Sequence, residues 1–164
     1  MNTTDLNITL RPAAETDEKF LCDVYRSTRL DEVAAFGWDV SQQDEFLRMQ
    51  FTIQHRAYWM QYPGAEHSVI LLGASMAGRI IVDRTDGWIS LTDIAVLPEF
   101  RGNGIATYLI RQLQDEASAS GKPLLLQVDK SNENALRLYE DLGFRITGES
   151  QFSYKMEWRS SKLT

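Results

Sequence analysis

The stretch from Leu91 to Thr107 most constrains the fold of this 164-residue chain. It is a short, nearly continuous apolar run, then Pro98, then Arg101-Gly102-Asn103-Gly104, then a helical pattern. Proline has no N–H for a ladder and fixes its own φ, so the strand should end at Pro98. Two glycines two apart permit backbone that a β-carbon would forbid and let a ligand approach closely. Ile105, Ala106, Leu109, Ile110, Leu113 and Ala117 then share one face at helical spacing. A helix start offers unpaired N–H groups and the positive end of the macrodipole. Strand, tight glycine turn and helix N-terminus together make an anion cradle, most often for phosphate.

Periodicity along the rest of the chain predicts the order β-α-α-β-β-β-α-β-α-β-β, a mixed sheet with helices on its faces. Ile8 to Pro12 reads as a strand, Glu15 to Thr28 as a helix, and Phe46 to Met60 as a second helix with Ser41 as N-cap and Asp44 at its third position. Val69 to Leu72, Gly78 to Asp83 and Trp88 to Leu97 form an antiparallel meander joined by short turns. The glycine-turn helix closes at Gly121. Leu124 to Val128 is a buried strand, a helix runs from Ser131-Asn132 to Gly143, and Phe144 to Thr147 and Phe152 to Trp158 are the last strands. In the final strand Phe152, Tyr154, Met156 and Trp158 alternate onto one face, read as core, with a homodimer edge as the alternative.

Length predicts one domain over residues 1–164, with its core about 8–158. A net charge of −6 argues against a nucleic-acid surface, which needs clustered Lys and Arg. Met1 to Thr9 is polar and no run approaches ~18 apolar residues, so neither a membrane partner nor export is expected and a cytoplasmic location follows. Cys22 is the only cysteine, which excludes an internal disulfide and a cysteine metal cluster. It lies on an apolar helix face, where a buried inert thiol is expected. No metal is expected.

Two phosphate loops fail. The P-loop requires a lysine that does not follow Gly104, and the dinucleotide fingerprint requires a small third residue where Thr107 stands. The latter also requires a preceding βαβ unit and an acid about 20 residues on, whereas the strands here read as a meander and Asp129 comes late. The third loop fits. Arg101, Gly104 and Ala106 meet the pattern Gln/Arg-x-x-Gly-x-Gly/Ala after the strand and proline Ile94-Ala95-Val96-Leu97-Pro98, and Asn132, Ala135, Leu136, Tyr139, Gly143 and Phe144 match a second signature ~30 residues on. On these two signatures the chain resembles the GCN5-related N-acetyltransferases (GNAT). The resemblance covers about residues 8–158 and is firm from 88 to 145. Its one departure is Ala106, where glycine is common.

The resemblance implies an α/β fold with a mostly antiparallel seven-stranded sheet and helices on both faces. It also implies acetyl transfer from acetyl-CoA to a small-molecule or peptide amine. Backbone N–H groups of Gly102, Asn103, Gly104, Ile105, Ala106 and Thr107 would hold the pyrophosphate, with Arg101 adding a charge or else pairing at the surface. An N–H in the Ile94-Ala95-Val96-Leu97 region, left unpaired where two strands splay, would polarise the thioester carbonyl, although the sequence itself shows no bulge. Asn132 and Tyr139 stand seven apart, ~10 Å on one helix face. By the resemblance Asn132 would hold a pantetheine amide, and Tyr139 would be the general acid for the departing thiolate.

The attacking amine must lose a proton, since its free pKa is about 10. Asp93 is the candidate base, an acid inside an apolar strand on the same face as Ala95; a structural partner for an Arg is the competing role. Glu66, Asp83 and Ser90 are weaker alternatives. Neither His55 nor His67 neighbours a Ser or Cys motif, so no protein nucleophile is expected. Between Leu30 and Tyr62 lie Phe36, Trp38, Phe51, Tyr58, Trp59 and Tyr62 with Asp31, Glu32, Asp39, Asp44 and Glu45. Together they read either as a wall for a cationic amine or as core aromatics with solvated acids. Two other functions compete: a CoA-binding module without turnover, and a nicotinamide-dependent oxidoreductase.

Overall fold

The computed structural model describes residues 7–161, without the side chain of Asp31; most of the polar stretch Met1 to Thr9 lies outside the described residues. The elements are β1 (Ile8–Pro12), α1 (Glu18–Ala34), α2 (Val40–Gln61), β2 (Glu66–Leu72), β3 (Ser75–Arg84), β4 (Ile89–Val96), α3 (Ile105–Ser120), β5 (Leu124–Asp129), α4 (Glu133–Asp141), β6 (Arg145–Glu149) and β7 (Ser153–Trp158). Their order is the one that the periodicity predicts.

All seven strands form one sheet in the spatial order β1-β2-β3-β4-β5-β7-β6. Every neighbouring pair is antiparallel except β4–β5. The predicted meander is β2-β3-β4. Its second turn is fixed by Thr85, whose hydroxyl accepts from the N–H groups of Gly87 and Trp88 at 3.2 and 3.1 Å. β7 lies between β5 and β6, so it is not an edge strand, and Met156 sits in the core as expected while Phe152 is exposed.

Each face of the sheet carries one helix pair. α3 and α4 bury Ile105, Leu109, Ile110, Leu113, Ala117 and Tyr139 against Ile80, Leu91, Leu126 and Met156. α1 and α2 cover the opposite face with their own cluster of Leu21, Tyr25, Val33, Leu47 and Phe51. Cys22 packs at the margin of that cluster, and burial, with Asp23 next, pushes its thiol above the ordinary range.

Two helix starts differ from the sequence reading. α2 begins at Val40 and its N-cap is Asp39, not Ser41. Asp39 Oδ1 accepts from the Gln42 N–H at 2.8 Å, and the Asp39 N–H donates to Gln42 Oε1 at 3.2 Å. The capping box is therefore Asp39–Gln42, two residues earlier than the Ser41–Asp44 pair, because Asp caps as well as Ser and Asp39 holds the extended backbone a cap requires. Asp44 instead pairs with Arg26 of α1. α1 starts after a 3-10 turn in which Asp17 accepts from the Ala14 N–H and receives both arms of Arg11, at 2.8 and 3.0 Å.

Two irregularities in β4 prepare the site. In its pairing with β3, Ile81 faces Asp93 but Val82 faces Leu91, so Thr92 is an extra residue, a β-bulge. In its pairing with β5 the register covers only Ile89–Leu124, Ser90–Leu125 and Leu91–Leu126. Beyond the bulge, β4 continues to Val96 and β5 to Asp129 without pairing to each other.

Gly78 anchors the β3 side of this region. A Cβ there would stand 2.1 Å from the Ala95 carbonyl oxygen and 3.0 Å from Val96 Cα, both backbone atoms that cannot rotate away. Gly78→Ala is expected to destabilise the protein by about 3 kcal/mol through overpacking. Urea unfolding checks this: the midpoint should fall while the slope is unchanged.

Candidate active site

The opening between β4 and β5 can be read amide by amide. Leu97 N–H donates to the Ala77 carbonyl at 2.8 Å. In an antiparallel ladder such pairs alternate, so Ala95 and Asp93 also spend their backbone groups on β3. The N–H groups of Ile94 and Val96 point the other way, into the gap where β5 has left. The splay implied by the resemblance is therefore present, and within Ile94-Ala95-Val96-Leu97 it is Ile94 and Val96 that carry the unpaired amides. The bulge that turns β4 away was not legible in the sequence. Thr92 gives no pattern signal, and its Oγ1 is buried without a partner.

Past Pro98 the chain makes a 3-10 turn over Pro98–Phe100 and enters the glycine turn. Gly102 and Gly104 both have left-handed backbone, with φ of +80° and +75°. A Cβ on Gly102 would meet nothing within 4 Å, so that side of the turn is open to a ligand. Gly104 caps α3 with no side-chain hydrogen bond. The first helical bond runs from the Tyr108 N–H to the Gly104 carbonyl at 2.9 Å, which leaves Ile105, Ala106 and Thr107 without carbonyl partners for their N–H groups. Asn103 steadies the turn by donating to the Phe100 carbonyl at 3.0 Å. Arg101 is exposed, and its Nε donates to the Val96 carbonyl at 2.9 Å, so it ties the end of β4 to the turn. The turn and helix start thus present a row of amide donors at the positive end of a 16-residue helix, which suits a pyrophosphate.

α4 lies across the opening. Asn132 is its N-cap: Oδ1 accepts from the Ala135 N–H at 3.2 Å, and the residue is exposed. Tyr139 is buried, with its ring against Phe144 at 5.8 Å. Burial, and then the charge of Asp93, push its phenol up to about 12. It therefore stays protonated at neutral pH, the state that a proton donor needs.

On the other sheet face, under α1 and α2, Asp93 meets a residue that sequence reasoning missed. Arg79 of β3 is buried, and its Nε donates to Asp93 Oδ2 at 2.7 Å. The structural partnership and the candidate base are thus the same carboxylate. Tyr58 of α2 stands near both; burial first, then Asp93, raise its phenol to about 12, while Arg79 opposes. Beside them Trp59 stacks on His67 at 4.0 Å and donates from Nε1 to His55 Nε2 at 3.1 Å. His67 Nε2 is buried without a partner. Burial pushes both histidines below the ordinary range, so both are neutral near pH 7. His55, Tyr58, Trp59, His67 and Arg79 line a cavity of about 10 Å³, room for one water. The alternative base Glu66 is paired with Arg84 at 2.9 Å.

Of the two readings of the segment from Leu30 to Tyr62, the aromatic and acidic wall does not form as one surface, whereas core aromatics with acids engaged elsewhere fits most of it. Phe36 and Trp38 cluster with Phe46 at the α1–α2 turn, with centroids 5.0 to 6.5 Å apart, and Phe51 is core. Asp39 caps α2, Asp44 pairs with Arg26, and Glu32 pairs with Arg29 at 3.3 Å. Only Tyr58 and Trp59 reach the sheet by Asp93. The sequence pattern gives helical spacing but not which end of a 22-residue helix meets the site.

Residues 23–144 match the profile of the Acetyltransferase (GNAT) family. The chain is similar to YobR of Bacillus subtilis, an uncharacterized N-acetyltransferase, at 38% identity over 71 residues, which are 43% of this chain and 29% of that protein. It is similar to mouse thialysine N-epsilon-acetyltransferase at 31% identity over 98 residues, 58% of each protein. The chain thus spans less than two thirds of the length of these curated relatives. In fold it is similar to the PaiA N-acetyltransferase of Thermoplasma acidophilum in complex with coenzyme A, with a TM-score of 0.68 over 94% of this chain and 99% of that one, at 16% identity. From the second turn of α1 to the strand entry after α4, the chain belongs to the Acetyltransferase (GNAT) family.

Proposed function

We propose that the protein moves an acetyl group from acetyl-CoA to a primary amine by direct attack on the thioester. The observation that carries this reading is the pair of unpaired amides, Ile94 and Val96, continuous through Arg101 with the uncapped start of α3. N–H groups of residues 102 to 107 would take the pyrophosphate, and the β4 edge would take the pantetheine arm and polarise the thioester oxygen. The donor set suits an extended, polar, anionic ligand: backbone amides alone, with no buried carboxylate at the turn. The Thermoplasma acidophilum protein, alike in fold, is in complex with coenzyme A, which supports coenzyme A as the ligand. The mouse relative's name, a thialysine N-epsilon-acetyltransferase, supports an amine acceptor.

The ammonium of the acceptor loses its proton to Asp93 or to a water that Asp93 orients. The amine nitrogen attacks the carbonyl carbon, the C–S bond breaks, and Tyr139 gives its proton to the departing thiolate. Neither step requires a metal. No helix among the described residues is long and apolar enough to cross a membrane. A single domain working in the reducing cytoplasm is part of the proposal, and the lone free Cys22 is compatible with it.

Titration calorimetry with acetyl-CoA beside thiol release over an amine panel tests the reading. Binding without release on any amine would leave a CoA-binding module, and binding of a nicotinamide cofactor instead would leave an oxidoreductase. Gly104→Val, which puts a branched side chain on the left-handed helix cap, should weaken acetyl-CoA binding at least about tenfold by calorimetry. Tyr139→Phe should lower kcat by about 100-fold or more with cofactor affinity retained. Because the phenol titrates only at about 12, and activity needs its protonated form, the native rate should show no falling limb from this group between pH 7 and about 10. Asp93→Asn should lower kcat/KM by about 100-fold at pH 7, and the loss should shrink toward pH ~10, where the amine sheds its proton unaided. A loss independent of pH would make Asp93 structural only.

A further inference from the structure

Resting on the acetyl-transfer reading, the charge inventory beside β4 names the class of acceptor. Arg79 is 6% exposed. A guanidinium carries five N–H donors, and among the described residues the one that Arg79 uses is Nε–H, on Asp93 Oδ2. Its Nη atoms make no hydrogen bond among the described residues and are not among the fully buried atoms without a partner, so they keep a small contact with solvent. Asp93 is likewise used on one oxygen, and Oδ1 is free for a second partner. On the sheet, Arg79 lies opposite Ala95, and Asp93 lies opposite Ile81, so the pair sits diagonally beside the Ile94 and Val96 amides.

Of the other charged groups that act on the side chains around this pair, Arg29 is spent on Glu32 at 3.3 Å, and Glu18 acts on His55 from the start of α1. His55 and His67 are neutral, and Tyr58 keeps its proton. The acids that would have made the groove anionic are engaged elsewhere, Asp39 as a cap and Asp44 and Glu32 on Arg26 and Arg29. A groove with one cation and one anion does not suit a polyamine, whose extra positive charge would face Arg79. It suits a molecule that itself carries one of each, close together.

We propose that the acceptor is the α-amino group of a free amino acid, with its ammonium on Asp93 Oδ1 and its carboxylate on the unused N–H groups of Arg79. One carbon separates the two charges of such a zwitterion, as adjacent side chains on β3 and β4 require. The planar fork of Arg79 gives the carboxylate two parallel hydrogen bonds and holds the amine toward the β4 edge. The reaction balances as amino acid ammonium plus acetyl-CoA giving N-acetyl amino acid, CoA thiol and one proton. The first amine proton leaves through Asp93. The N–C bond forms as the C–S bond breaks, the thiolate takes the Tyr139 proton, and the second amine proton restores Tyr139 through solvent. Arg79 is a specificity residue in this scheme: it holds the carboxylate and moves no proton.

Thiol release with acetyl-CoA tests this on matched acceptors: alanine against alaninamide, lysine against lysinamide, and spermidine. An amino acid amide keeps the amine and loses the negative charge. Its amine is less basic and so more often neutral, which means that a preference for the acid runs against amine reactivity. The native protein should favour the acids over the amides by about 100-fold in kcat/KM, mostly through KM, and should leave spermidine nearly unused. In Arg79→Gln the ratio of acid to amide should collapse toward one, while Arg79→Lys, which keeps the charge without the fork, should retain part of it. Equal use of acids and amides, faster use of spermidine, or discrimination that survives Arg79→Gln would overturn the proposal and leave acetyl transfer to amines standing. The comparison on the native protein decides the matter even where a substitution at this buried position prevents folding. Absence of thiol release with every amine would remove the acetyltransferase reading itself.

Discussion

A strand that leaves its neighbour must find other partners for its amides. In this molecule that requirement falls on β4. It pairs with β3 along its whole length but with β5 only from Ile89 to Leu91, and the bulge at Thr92 marks the point where the two part. Buried backbone donors without partners cost free energy, so an apolar strand edge opening onto a groove is stable only where water or a ligand can meet it. The binding edge and the divergence are one feature. The rest of the molecule supports it: Gly78 lets β3 approach Ala95 closely, Arg101 ties the Val96 carbonyl to the glycine turn, and α3 and α4 wall the gap.

The two sheet faces divide the chemistry. The side proposed for the cofactor is built from backbone, with the row of amides at Ile94, Val96 and the start of α3. The side proposed for the acceptor is built from side chains, with Asp93, Arg79 and Tyr58 under α1 and α2. A backbone site recognises a ligand by shape and polarity and tolerates change in the residues that carry it, as Ala106 does where glycine is common. A side-chain site depends on which residues face one another, and a single exchange alters what it accepts. Belonging to the GNAT family therefore constrains the first site far more than the second.

How much could be read from the sequence follows the same division. Gly102 and Gly104, the helix face from Ile105 to Ala117, and the second signature through Tyr139 are local patterns, and each stands in the structure where its spacing predicts. The features that were not legible are long-range. Nothing in the string says that Arg79 lies diagonally across from Asp93, because that depends on the register of two strands, and the bulge at Thr92 shifts that register by one. An arginine directly before the apolar run Ile80-Ile81-Val82, inside a strand pattern, is the one available signal. The same limit applies to the acids before residue 65. Their proximity in sequence to aromatic residues suggested a shared surface, but the pairing of α1 with α2 draws Asp44 to Arg26, and capping claims Asp39. The cap itself was misplaced by two residues because Asp39 and Ser41 are equally good cap types and only the backbone decides between them.

The strand order carries a consequence for how the molecule is made. β5 receives β7, not β6, as its second neighbour, with Leu124 facing Trp158 and Asp129 facing Ser153. During synthesis the chain therefore emerges past β7 before the far wall of the groove can close, and until then β5 has a bare, apolar edge on the side away from β4. The elements from β1 to β4, whose neighbours in space are mostly neighbours along the chain, can assemble early, whereas the elements that would grip the cofactor wait for Ser153–Trp158 to leave the ribosome.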